Sequence, residues 1–229
     1  MQNFMKHTMI RRLAFVLILL NSGYAQQPKS MDAKPITWNV DSLKQIGQQQ
    51  VTVIGNPQLI DTPGGKAVMF DGADDGLELN TNPVAGANAF TVEAIFRPDP
   101  NGSKEQRWLH LQQDQTDNRV LLETRLDGDK WFVDSFIKSG ENSRVLFAEN
   151  FKHPLGAWYH VALVYDGSEM RHYVDGEKEM AGPLSISPLG QGQTSIGVRL
   201  NRVYWFKGAV RKVRFTPRAL APTEFMQKK

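Results

Sequence analysis

From residue 51 onward the chain is written largely in period two. Trp158, His160, Ala162 and Val164 alternate with Tyr159, Val161, Leu163 and Tyr165, the pattern of a strand rich in aromatic and β-branched residues. Asp166-Gly167 supplies a tight turn, Met170 to Val174 returns, and Asp175-Gly176 turns again, so the stretch predicts a β-hairpin. Phe90, Val92, Ala94 and Phe96 alternate in the same way with Thr91, Glu93, Ile95 and Arg97. Further strands are expected over 106–112, 119–126, 131–138, 194–199 and 209–215, and shorter ones at 51–54, 59–60, 67–70 and 77–79. Short strands separated by Gly, Asp, Asn and Pro clusters are the mark of an all-β fold. Two stretches depart from it: Asp41 to Gly47, with an N-cap residue and a closing glycine, predicts a turn or two of helix, and Phe225 is expected to pack a short terminal one.

The first 25 residues do not share this pattern. Lys6, Arg11 and Arg12 precede an unbroken apolar run, Leu13 to Leu20, which ends in Gly23-Tyr24-Ala25 before Gln26. That is the layout of a cleaved export leader, and the run is far shorter than the roughly 20 residues a membrane span needs. No cysteine follows it, so a lipidated leader is excluded. The expected organisation is a signal peptide over 1–25, a polar tether and short helix over 26–50, and one domain over 51–229, with the product secreted or periplasmic. The net charge of +3 comes from 27 basic and 24 acidic residues; without the three basic residues of the leader the chain is neutral. Composition therefore offers no argument for nucleic acid or anionic membranes as partner. With no cysteine anywhere, disulfides, zinc-thiolate sites and a cysteine nucleophile drop out.

The order Trp158-Tyr159-His160-Val161-Ala162, then Tyr165-Asp166-Gly167, then Tyr173-Val174-Asp175-Gly176 resembles the central hairpin of laminin-G-like jellyroll domains, in the concanavalin A-like lectin and glucanase superfamily. Phe70-Asp71-Gly72 with the following acidic pair is similar to an early segment of those domains. Ser195-Ile196-Gly197, Phe206 to Val210 and Arg218-Ala219-Leu220 are similar to their closing strands. The resemblance covers residues 51 to 226. It implies a two-sheet antiparallel jellyroll sandwich, concanavalin A-like, with short peripheral helical turns and sheets packed about 10 Å apart. The family often carries acidic residues in its last strand; here Arg211-Lys212 stands there, so no acidic role transfers.

Ionisable groups lie in mid-strand. Glu93, Glu123, Arg125 and Asp134, with Trp108 and His110, are expected on the outer face of a sheet, where carboxylate, guanidinium, imidazole and aromatic groups together suit a saccharide. Arg199, Asn201 and Trp205 form a second cluster in the connection before the last strand. The same alternation also describes any half-solvated antiparallel strand. The leading expectation is a module that binds polysaccharide or glycoconjugate without catalysis. One alternative is a hydrolase using Glu93, Glu123 and Asp134, or a lyase pairing His110 or Tyr173 with Arg125. Another is a protein-binding adhesion module. Asp71, Asp74 and Asp75 offer oxygen ligands suited to a structural Ca²⁺, although acidic glycine-rich turns are also ordinary turns. His160, in the hairpin strand, reads as a satisfied structural histidine, and no phosphate loop or dinucleotide fingerprint is present.

Overall fold

The structure is a computed structural model that describes residues 34–228. The expected leader and most of the tether lie outside the described residues. The strands are β1 (Ile36–Asn39), β2 (Gln45–Ile46), β3 (Gln49–Gln50), β4 (Thr52–Ile54), β5 (Gln58–Thr62), β6 (Gly65–Asp71), β7 (Gly76–Leu79), β8 (Phe90–Pro98), β9 (Glu105–Gln113), β10 (Arg119–Asp127), β11 (Lys130–Ser139), β12 (Asn142–Phe147), β13 (His153–Pro154), β14 (Tyr159–Tyr165), β15 (Glu169–Val174), β16 (Glu177–Pro183), β17 (Gly192–Ile196) and β18 (Lys207–Thr216). A 3₁₀ turn at Pro222–Glu224 is the helical element among the described residues, and no helix there is long and apolar enough to cross a membrane.

Two antiparallel sheets form the expected jellyroll sandwich. The first runs β16-β15-β14-β8-β18-β6-β5, with β1 also on β18; the second runs β12-β11-β10-β9-β17-β7-β4, with β13 also on β11. Their inward faces share one core that includes Phe90, Val92 and Phe96 from the first sheet and Leu109, Leu122 and Val133 from the second. The two outward faces differ. On the first sheet Leu220 and Phe225 of the C-terminal segment pack against Ala162, Val164 and Tyr173, and the Leu220 amide donates to Thr91 Oγ1 at 3.0 Å. Strand β8 is therefore buried on both sides. Among the described residues nothing of that kind covers β9 to β12 on the outer face of the second sheet, and the candidate site lies there.

Residues 36–50 are a correction to the expected tether and helix. Trp38 is buried and sits edge-on to Phe215, their ring centroids 4.8 Å apart; Val40 and Ile46 are also in the core. Gly47, at φ 60°, turns the chain between β2 and β3. A helix this short is not stable on its own, whereas burying three apolar side chains is favourable, so the segment extends along the sandwich. The edge strands β12 and β16 were also absent from the expected pattern.

Strand β9 carries a second correction. Leu122 pairs with Leu109, but Glu123 pairs with Arg107, so Trp108 is an extra residue, a β-bulge. The bulge breaks the alternation that placed Trp108 beside His110. Trp108 instead points inward and stacks on Phe96 at 4.3 Å with the rings 14° apart, while Trp131 meets Phe96 edge-on at 5.1 Å. Trp108→Ala should remove the centre of this aromatic column, at a cost of about 3–5 kcal/mol. Urea unfolding monitored by circular dichroism would show a lowered midpoint; an unchanged one would mean that Trp108 lies outside the core.

Candidate functional site

Across β9 to β12 the outward residues form cross-strand ladders. Arg107 faces Glu123, Glu123 faces Asp134, and Asp134 faces Phe147. The next ladder runs from His110 to Leu121, Phe136 and Val145. Cross-strand neighbours of this kind lie close enough for their side chains to touch. All of these but His110, together with Arg119, Arg125 and Arg199, line an open hollow of about 340 Å³, at the lower end of small-molecule sites. Val145 and Phe147 are exposed there, at 51% and 41%, so the hollow has an apolar wall as well as a charged floor.

The charges are unevenly paired. Arg125 places Nε and one terminal nitrogen on Asp134 Oδ2, at 2.9 and 2.6 Å, and also pairs with Glu105. Arg107 pairs with Glu105 and lies 3.1 Å from Glu123 Oε2. All three carboxylates thus crowd at the Arg107–Arg125 end. At the other end the carboxylate paired with Arg119 among the described residues is the exposed Asp117, which Lys138 shares. Among the described residues no carboxylate lies in ion-pair range of Arg199, whose Nε is buried without a hydrogen-bond partner.

Three of these guanidinium groups lie over aromatic rings: Arg107 over Tyr204 at 3.7 Å, Arg119 over Phe136 at 4.7 Å and Arg125 over Phe147 at 5.6 Å. Stacking of this sort restrains a guanidinium while leaving its N–H edge available. The 199–206 connection that brings in Tyr204 and Arg199 is fastened by backbone hydrogen bonds. The Arg107 amide donates to the Tyr204 carbonyl at 2.9 Å, and the Leu200 amide donates to His110 Nδ1 at 3.0 Å. Arg202 and Tyr204 adopt left-handed backbone at φ 60° and 61°, an uncommon conformation for non-glycine residues.

Burial dominates the titration of the floor. Glu123 is pushed up to about 7, first by burial and then by the negative charge of Asp134, against the opposing pull of Arg107 and Arg125. Burial also lifts Asp134, and the Arg125 fork opposes that lift. His110 is fully buried, accepts from Leu200 and is driven down to about 3 by burial and by Arg199, Arg119 and Arg107. It is therefore neutral, and its Nε2 has no partner.

Of the residues picked from sequence, Glu123, Arg125, Asp134 and Arg199 line this hollow, with His110 on the same face. Asn201 lines a neighbouring hollow of about 280 Å³ with Gln112, Gln113, Gln115 and Gln193; the approximate volume is that of a few water molecules to a small ligand. Trp205 is half-buried and lines neither. Trp108 is core. Glu93 is on the first sheet, fully buried, and takes Arg214 at 2.6 Å, His160 at 3.0 Å and the Met226 amide at 2.7 Å. It cannot act with Glu123 and Asp134 from there. His160 is the satisfied histidine expected. Tyr173 lies under Phe225 on the first sheet's outer face, away from Arg125. Arg107 and Tyr204 were missed; the alternating charges of Glu105-x-Arg107 and Glu123-x-Arg125 were the available signal for the first.

Oxygens of Asp71, Asp74 and Asp75 lie within 4.8 Å of one another. Both Asp75 oxygens accept backbone amides, from Asn56 at 2.7 Å and Asp71 at 3.1 Å, and Asp71 Oδ1 accepts those of Ala73 and Asp74. Asp75 thereby clamps the turn after β4 to the end of β6. Asp71 Oδ2 and the Asp74 carboxylate are left as the oxygens a hard cation would use first.

Comparison with known proteins bears on the whole sandwich. The family described as concanavalin A-like lectin/glucanases superfamily matches residues 71–225. No curated protein sequence matches the chain. Domain 4 of AbnA, an extracellular arabinanase of Geobacillus stearothermophilus solved with arabinotriose, superposes with a TM-score of 0.62 at 19% identity, over 82% of this chain and 94% of that one. The receptor-binding domain of botulinum neurotoxin D gives 0.62 at 12% identity, over 85% of this chain and 52% of that one. The binding domain of Paraclostridial Mosquitocidal Protein 1 gives 0.58 at 13%, over 82% and 49%. The chain thus spans about half of each toxin domain, and at these identities the likeness is one of fold.

The raised Glu123 carboxyl has a testable consequence. Between its ordinary value of 4.5 and about 7 the native state holds a proton that the unfolded chain has released, so this group lowers stability progressively as pH rises through that window. Glu123→Gln removes the titration. Unfolding free energies measured from about pH 5 to about pH 8 should therefore fall more steeply for the parent than for the variant; parallel curves would show that Glu123 titrates normally.

Proposed function

The chain belongs to the concanavalin A-like lectin/glucanases superfamily, and from that premise we propose that it is an exported carbohydrate- or glycoconjugate-binding module whose ligand lies on the outer face of the second sheet. The observation that carries this reading is the composition of the hollow: fixed guanidinium and carboxylate groups beside exposed Val145, Phe147 and Tyr204. A sugar ring needs both kinds of surface, donors and acceptors for its hydroxyls and an apolar patch for its C–H face. Strand-borne residues also hold their positions better than loop-borne ones, which lowers the ordering cost of binding. Export is supported by the basic, apolar and small-residue layout of the first 25 residues.

One observation favours a second reading. Glu123, pushed up to about 7 by burial, sits in register with Asp134, and a pair of neighbouring carboxyl groups is the raw material of glycoside hydrolysis. Asp134 is engaged by Arg125, which is why binding is preferred.

The test is incubation of the purified protein with a panel of polysaccharides, scoring retention and new reducing ends in the same tubes. Retention without products is expected, and products would transfer the assignment to Glu123 and Asp134; no retention by any saccharide would overturn the reading. We also propose calcium at the Asp71–Asp75 turn as a structural ion. Each tube is therefore paired with a chelated one, and melting is recorded for the parent and for Asp74→Asn. A calcium-dependent rise in Tm lost in the variant is expected; identical melting with and without the ion would remove calcium from the account.

A further inference from the structure

We infer that the ligand is an acidic saccharide, its anionic group held between Arg119 and Arg199 and its neutral neighbour in the amide-lined hollow alongside. This rests on the carbohydrate reading above and specifies the substrate class of the same face. Four guanidinium groups surround the larger hollow, yet Glu105, Glu123 and Asp134 all pair at the Arg107–Arg125 end. Among the described residues no carboxylate is in ion-pair range of Arg199, on which Glu123 acts only from farther off, and the one paired with Arg119 is solvated.

Unpaired positive charge held partly out of water is costly. Arg199 Nε and Arg119 Nε are both buried without a hydrogen-bond partner, as is His110 Nε2 on the same face; Arg107 also has two such nitrogens, but it has Glu105 and Glu123 in ion-pair range. The depressed titration of His110, with Arg199, Arg119 and Arg107 as its charged causes, reports the same field. A carboxylate or sulfate answers both deficits, because a guanidinium fork matches the geometry of two anionic oxygens.

The adjoining hollow is of another kind. Gln112, Gln115, Gln193 and Asn201 line it, and side-chain amides offer donors and acceptors together, as neutral hydroxyls require. The two hollows are contiguous, since Gln112 is the cross-strand partner of Arg119 and Leu200 follows Arg199. A saccharide lying across them would meet positive charge at one unit and amides at the next. Nucleic acid fits less well: the charge is one hollow wide, and it sits on a chain whose domain is close to neutral.

The experiment is calorimetric titration of the full chain with matched polymers: polygalacturonate against the same polymer with its carboxyls reduced to alcohols, and dextran sulfate against dextran. The first pair tests a carboxylate and the second a sulfate. At least one acidic member should bind more tightly than its neutral match by about tenfold or more, and Arg199→Gln should weaken that binding by a similar factor. Arg119→Gln should do likewise, while Arg202→Gln, on the same connection but paired only loosely with Glu78 at 3.7 Å, should leave it unchanged. Melting curves confirm that each variant is folded. Equal binding of acidic and neutral polymers, or equal losses in the Arg199 and Arg202 variants, would overturn the inference. Retention of neutral glycans alone would also sink it while sparing the carbohydrate reading, and absence of binding to every saccharide would remove both.

Discussion

The charged outer face of the second sheet depends on one extra residue in strand β9. Because Trp108 is bulged, it leaves the outward series and stacks on Phe96 in the core. The same insertion changes the phase of the strand, so Arg107 rather than Trp108 stands opposite Glu123. An aromatic column and a charged ladder are thus two results of a single irregularity. The last strand has its own bulge, between Val210 and Lys212, opposite the same stretch of β8, so Phe96 is bracketed by local departures from regular pairing. Bulges bend and twist a sheet, and here they fix which side chains meet across the sandwich as well as which face outward.

The two sheets share a core but differ in what their outer faces can do. The C-terminal segment lies over the first, where Glu93 is tied to Arg214, His160 and Met226 in a closed arrangement of hydrogen bonds. A buried carboxylate with that many partners contributes to docking the segment, and no atom of it is left for a ligand. On the second sheet the polar groups are only partly satisfied: nitrogens of Arg107, Arg119, Arg199 and His110 and one Glu123 oxygen have no hydrogen-bond partner. Incomplete pairing at the surface of an otherwise well-paired fold is where a binding site is expected.

Much of the architecture was legible because strands such as β8, β10, β11, β14 and β15 announce themselves through local alternation. The failures have physical causes. Trp108 was misplaced because a bulge has no signature in a period-two reading. Glu93 was given to the ligand face because both faces of β8 are buried, and only the position of residues 218–228 shows that its polar face is covered. Strand β1 was read as tether since its pairing partner lies some 175 residues away in β18, a long-range contact of the kind local propensity does not encode. Arg199 was picked out, but that no described carboxylate comes into ion-pair range of it follows from where Glu105, Glu123 and Asp134 converge, which is a property of the assembled sheet.

Strand β12 has a role in the fold that is unusually light for its place in the site. Its outward residues Val145 and Phe147 make the apolar wall, whereas inward only Leu146 is fully buried, and the strand pairs on one side alone. Changes to that wall touch little of the core, so they carry a small penalty in stability. The guanidinium floor, by contrast, is wedged between central strands and aromatic rings. A lineage carrying this domain is therefore free to drift at the rim while its charged floor stays in place, and a protein engineer seeking to reshape the hollow would randomise the same two positions first.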